Sequence, residues 1–271
     1  MAMLRRKLVS FAFAFASASA LLLAGCSTPA PAVDAATRQA LAPTGSLRVG
    51  VYMGSPTSMV RDPRTGDKVG VALNLGKAMA ERLGVPVQVV EFERLALVID
   101  AVKSGAVDFT FTNATEARAR DMNFTPPLIQ LELGYLVPRG SPIARVADVD
   151  RAGVRVGVSQ GSSSQAALGR TYKSAALVPA ASLKQAQDML RKGEVNAFAT
   201  NKAILFEMLD ELPGFHIIDG RWGEENLAIA IPKGRDAGMP FVRQFAVDSQ
   251  TSGLLQSIIT GAGLRGTLKT N

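Results

Sequence analysis

The chain is 271 residues long, with 30 Lys and Arg against 23 Asp and Glu, one Cys and one His. A single Cys excludes an internal disulfide, and one His with one Cys cannot assemble a Cys/His metal centre, so no metal and no cofactor is expected. Cations are scattered and aromatics sparse, which excludes a basic or base-stacking nucleic-acid surface.

The first elements set the compartment. Arg5, Arg6 and Lys7 precede an apolar run from Leu8 to Ala24, interrupted by serines and closed by Gly25-Cys26. A basic start, a short apolar stretch and a small-residue exit are the parts of a secretory signal, and the run is shorter than the ~20 residues of a spanning helix. Removing residues 1–25 takes three cations and no acid, leaving 27 against 23. Ser27-Thr28-Pro29-Ala30-Pro31-Ala32 reads as an extended tether, assigned to residues 26–44.

From there the pattern alternates. Leu47–Val51 is β-prone and ends at Gly54-Ser55-Pro56. Residues 69–83 have helical spacing, with Leu73, Ala80 and Leu83 on one face and Gly84 as the stop. Residues 85–90 predict a strand, 95–102 a helix ending near Gly105, and 107–111 a strand. Such alternation predicts a parallel sheet covered on both faces. After Val137-Pro138-Arg139-Gly140 a second set begins. Strand 154–158 is followed by Gln160-Gly161-Ser162-Ser163-Ser164 and a helix. Helices at 183–191 and 201–209, strands at 195–199, 215–218 and 227–231, and tail helices at 237–252 and 254–260 complete it. This grammar predicts an α/β protein of two lobes.

Two resemblances refine that reading. Leu23-Ala24-Gly25-Cys26 resembles the lipobox of bacterial lipoproteins, whose cysteine is acylated. The resemblance implies a periplasmic protein tethered to the membrane through Cys26, and Ser27 points to the outer membrane. From Leu47 onward the chain resembles the type 2 periplasmic binding proteins, in particular the branch serving polar amino acid ABC transporters. The residues that carry this are Leu47-Arg48-Val49-Gly50-Val51, the stretch Gly70 to Gly84, and Ala101-Val102-Lys103-Ser104-Gly105-Ala106-Val107-Asp108. Thr115-Glu116-Ala117-Arg118, Asn123-Phe124-Thr125-Pro126-Pro127 and Val156-Gly157-Val158-Ser159-Gln160-Gly161-Ser162-Ser163 complete them.

The resemblance implies the two-lobed type 2 fold. Lobe 1 would comprise 45–133 and 224–271, and lobe 2 134–223. Two crossing strands near Gly134-Tyr135 and Trp222-Gly223 would form the hinge. A monomer would capture a small carboxylate-bearing solute in the cleft and present it to an ABC permease and ATPase. Arg118 would grip the ligand carboxylate, because a guanidinium fork matches it with two charge-assisted bonds; Arg120 nearby reads as a solvated residue. Asn113 can donate to the same anion or serve as a turn residue. Ser162 and Ser163 precede a helix, where hydroxyls and free N–H groups suit an anion or simply cap the helix. Amino-acid-binding relatives place an Asp where Asn201 stands, and an aromatic platform where Leu95 stands. Tyr52 can supply an apolar wall, and Leu95 can equally be core. These departures weaken the expectation of an ordinary α-amino acid.

Two other functions compete. A dehydratase-like enzyme on the same fold would need an acid/base pair, for which Glu91 and Glu93 are the candidates. A sensor would pass ligand state to a membrane signalling partner. His216 lies in an apolar strand, and Trp222 reads as hinge packing.

Overall fold

A computed structural model describes residues 33–268. Cys26, the signal segment and most of the expected tether lie outside them. Helix α1 spans Ala35–Leu41, and Asp34 caps it by accepting from the Thr37 N–H at 2.7 Å. Leu41 is fully buried in the core, so the stretch expected to be tether up to residue 44 is corrected: its last part is folded. A tether must lack side chains worth burying, and Leu41 is one.

In chain order follow β1 (Leu47–Tyr52), β2 (Val60–Arg61), β3 (Lys68–Val69), α2 (Val71–Leu83), β4 (Val87–Phe92) and α3 (Leu95–Ser104). Next come β5 (Thr110–Asn113), α4 (Glu116–Ala119), β6 (Met122–Phe124) and the long β7 (Ile129–Pro138). The middle of the chain forms β8 (Arg155–Ser159), α5 (Ser163–Thr171), β9 (Ala176–Ala180), α6 (Leu183–Arg191), β10 (Ala197–Asn201) and α7 (Lys202–Glu211). It closes with β11 (Phe215–Ile217), the long β12 (Gly223–Pro232), α8 (Met239–Thr251) and α9 (Leu254–Gly261).

The sheets are mixed, which corrects the expected parallel one. β1 pairs parallel with β4, and β8 pairs parallel with β9 and β10. But β12 runs antiparallel to β5, β6 and β7, and β7 antiparallel to β10 and β11. Apart from the short β2–β3 pair, the antiparallel pairs all involve β7 or β12, the two strands that pass between lobes. Along β7, Leu131 is buried in the core shared with α2 and α8, whereas Leu136 is buried in the core under α6 and α7. The passage falls at Leu133-Gly134, where β12 begins opposite, with Gly223 against Leu133. Trp222 Nε1 donates to the Gly134 carbonyl at 3.0 Å, tying the two crossings together.

Alternation explains the covering of the second sheet. Leu136 and Phe198 face one core, while Tyr135, Val137, Ala197 and Ala199 face another. Both faces are apolar, so these strands read as continuous hydrophobic runs. In the first lobe α2 lies so close to β1 that a Cβ on Gly76 would come within 2.6 Å of Val49. Asp108 is wholly buried; it accepts from the Arg48 N–H and Nε at 2.8 Å and pairs with Arg235. The acid of the Gly-Ala-Val-Asp turn is thus a structural tie between β1, the start of β5 and the turn after β12. It also draws the backbone N–H groups of Asp108 and Phe109 to the Arg48 carbonyl, so β5 begins three residues later than its apolar run.

Candidate ligand cleft

The ends of β1, β5, β8 and β10 and the starts of α3 and α6 converge on one cavity. Its volume is about 40 Å³, room for roughly three or four waters and so for a small solute. Arg118, Asn113, Ser162, Asn201, Tyr52 and Leu95 all line it. Ser163 does not; it stands behind the wall.

Arg118 is placed by a cap. Thr115 Oγ1 accepts its backbone N–H at 3.2 Å and opens α4. Its side chain folds back on β5, where Nη1 donates to Thr112 Oγ1 at 2.9 Å and to the Asn113 carbonyl at 3.2 Å. Nη2 is buried without a partner, and the residue is only 9% exposed. Burial pulls its pKa below the usual guanidinium value, opposed by the charge of Glu225. A desolvated guanidinium with one unfilled edge is a ready anion receptor.

Asn113 Oδ1 accepts the Asn226 N–H at 3.0 Å, which leaves its amide nitrogen as the donor available to a ligand. Ser162 Oγ caps α5 through the Gln165 N–H at 3.0 Å, leaving the hydroxyl proton free. Capping and anion binding are therefore compatible at this serine. The Tyr52 phenol is pushed up to about 12 by burial, so it stays a neutral wall and donor. Leu95 opens α3 and forms an apolar patch with Phe111, Ile204 and Leu227.

The sequence reading missed Glu225. It lies on β12, is 7% exposed and lines the cavity. Its Oε1 accepts from Ser163 Oγ at 2.7 Å and its Oε2 from Asn201 Nδ2 at 2.9 Å. No cation among the described residues forms a salt bridge with it. Asn201 Oδ1 meanwhile accepts the Ile204 N–H at 3.1 Å and caps α7. Both ends of the Asn201 amide are engaged, Nδ2 by Glu225 and Oδ1 by the cap bond, and Oδ1 keeps one lone pair beyond it. The Glu224-Glu225 pair was the available signal: alternation sends one acid inward, and register decides which. Glu224 pairs with Arg221 on the half-exposed side.

Glu91 and Glu93 form no acid/base pair. Glu91 is ion-paired with Lys68, and the Glu93 side chain is 85% exposed. His216 pairs through its backbone with β7 and does not line the cavity. Among the described residues no cluster of His, Cys, Asp and Glu could hold a metal ion, and no helix is long and apolar enough to cross a membrane.

A cleft between two α/β lobes joined by two crossing strands, with its polar groups turned inward, defines a solute-binding protein. Residues 47–260 match the bacterial extracellular solute-binding proteins, family 3, and the chain belongs to that family. It is similar to the ABC transporter glutamine-binding protein GlnH of Bacillus subtilis (strain 168), 23% identical over 227 residues, 80% of this chain and 83% of the relative. Among solved structures, an ancestral arginine-binding protein bound to arginine superimposes with a TM-score of 0.72 at 26% identity, over 80% of this chain and 97% of that one. A mutant of ArgBP from T. maritima has the same fold, with a TM-score of 0.75 at 22% identity, over 84% and 99% of the two chains.

Proposed function

We propose that this protein captures a small amino acid or amino acid derivative, with its carboxylate on Arg118 and its ammonium on Glu225, and delivers it to the permease and ATPase of an ABC importer. One observation carries this reading. The cavity buries a guanidinium with an unpartnered Nη2 and a carboxylate held only by neutral donors. Buried charges without contact partners are costly, and one zwitterion compensates both. Named relatives that bind glutamine and arginine support the ligand class. The countercharge missing at Asn201 is present, on a different strand.

Binding without turnover is the activity proposed, because of the two acids considered for catalysis Glu91 is ion-paired with Lys68 outside the cavity and Glu93, which lines it, is largely solvated. Lobe 1 comprises residues 33–133 and 224–268, and lobe 2 residues 134–223, as a monomer. The signal at residues 1–25 and acylation at Cys26 make it a lipid-anchored periplasmic protein, at the outer membrane given Ser27. Calorimetry tests the ligand reading with amino acids, their amine-free acids and their decarboxylated amines. Amino acids should bind and the other two classes fail. Binding of the amine-free acids at equal affinity would remove Glu225 from the site.

A further inference from the structure

A neutral amino acid leaves the cavity's charge uncompensated. Three charged groups line it besides the largely solvated Glu93: Arg118, Glu225 and Arg94. Arg94 immediately precedes α3, at the cap position, where its guanidinium, having only donors, cannot accept the helix N–H groups. Its Nε is buried and has no hydrogen-bond partner. Among the described residues the acid within 4 Å of the guanidinium is Glu93, whose carboxylate lies 3.9 Å from Nη1, beyond hydrogen-bond reach. Glu93 is exposed, so solvent screens its charge.

The cavity wall therefore presents two guanidiniums with unfilled donors, Arg118 buried and Arg94 with its Nε buried but its side chain 31% exposed, against one buried carboxylate. A zwitterion with an apolar or cationic side chain fills Arg118 and Glu225. It leaves the Arg94 Nε–H desolvated and unpaired. A second anionic group on the solute uses that donor and balances the charge. Part of the wall favours the same sign: Ser182 and Leu183, at the amino end of α6, also line the cavity, and a helix start favours negative charge. The small volume suits a short side chain.

We infer that Arg94 reads an anionic side-chain group, so that the preferred solute is a short acidic amino acid. This rests on the amino acid reading above and narrows it.

The test is calorimetry on the purified protein with L-aspartate, L-glutamate, L-asparagine, L-glutamine and L-lysine, repeated with Arg94→Gln and with Arg120→Gln as a charge control. Arg120 is exposed and does not line the cavity. The expected result is an acid over its amide by about tenfold or more, since a site built around a charged partner discriminates strongly against its absence. That ratio should collapse toward one in Arg94→Gln and persist in Arg120→Gln. Amides or lysine binding as tightly as the acids would overturn the inference and leave the amino acid reading standing. So would an Arg94→Gln change that weakens acids and amides alike. If no amino acid binds, the amino acid reading falls and the inference with it.

Discussion

Asn201 Nδ2 donates to Glu225 Oε2 across 2.9 Å while Asn201 Oδ1 caps α7. The amide thus holds an acid in place rather than substituting for one. A strong prediction follows for the substitution that would restore the family's acid. Asn201→Asp replaces the donor by a carboxylate oxygen facing another carboxylate, with both residues nearly fully buried. The loss of a hydrogen bond to a charged group, with a like charge added, should cost about 2 kcal/mol or more of stability. Amino acid affinity should fall at pH 7 rather than rise. Chemical denaturation and calorimetry on the same variant check both halves. Tighter binding in Asn201→Asp would mean that Glu225 is not the ammonium's partner.

Much of the fold was legible because its elements carry strong local patterns. α6 occupies the 183–191 stretch expected of it, where apolar positions repeat at helical spacing and Ser182 caps the start. β9 was invisible: Leu177-Val178-Pro179 has no alternation and contains a proline. It is tolerated because β9 is the outermost strand, paired only with β8. α1 hid inside the stretch read from the sequence as tether, with Asp34 as its only strong signal. At the site, Arg118 was legible because its role comes from one motif and one local cap. Glu225 was not, because its inward direction depends on the register of β12 against β7, which pairs residues about a hundred positions apart. Arg94 needed the cavity itself to reveal a donor with nothing to bond.

Asp150 gives a pH-dependent prediction away from the cleft. Its carboxylate accepts the backbone N–H groups of Lys173, Ser174 and Ala175 at 2.8–3.2 Å, and these bonds hold its pKa below the ordinary 3.8. A depressed folded-state pKa contributes stability above the unfolded value, and that contribution is lost as pH falls through the folded value. Asp150→Asn should therefore lower the melting temperature at pH 7. The gap from the parent protein should close as pH drops below 3.8 toward 2. A melting series from pH 7 to pH 2 on both proteins measures this. A gap that stays constant with pH would assign the loss to packing of the turn instead.

The anchor is a separate matter from the cleft. If Cys26 is acylated, labelled palmitate should be incorporated by the intact protein in a bacterial host and not by Cys26→Ser. The variant should move from the membrane fraction to the soluble periplasmic fraction. Ligand affinity should stay the same, because Cys26 precedes the folded residues that build the cavity. Labelling that survives in Cys26→Ser, or an unlabelled parent, would reject the lipoprotein reading without touching the binding one.

Closure of the cleft can be probed where Gly161 meets Ala96. Gly161, in the loop after β8, has φ +72° and sits so close to α3 that a Cβ there would come within 2.8 Å of Ala96 Cβ. A side chain at 161 has no room against Ala96 in this arrangement. Ala96→Leu keeps a good helix former in the first turn of α3 and enlarges the residue that faces Gly161. Overpacking of this kind costs about 1–3 kcal/mol, and an open arrangement of the lobes avoids it. The cost should therefore appear in binding, as a roughly 5- to 150-fold loss of affinity, with the melting temperature of the ligand-free protein little changed. Small-angle scattering should show that ligand compacts the parent protein and fails to compact the variant. A variant that loses ligand-free stability while closing normally would place the strain inside lobe 1 and remove the Gly161–Ala96 contact from the closing motion.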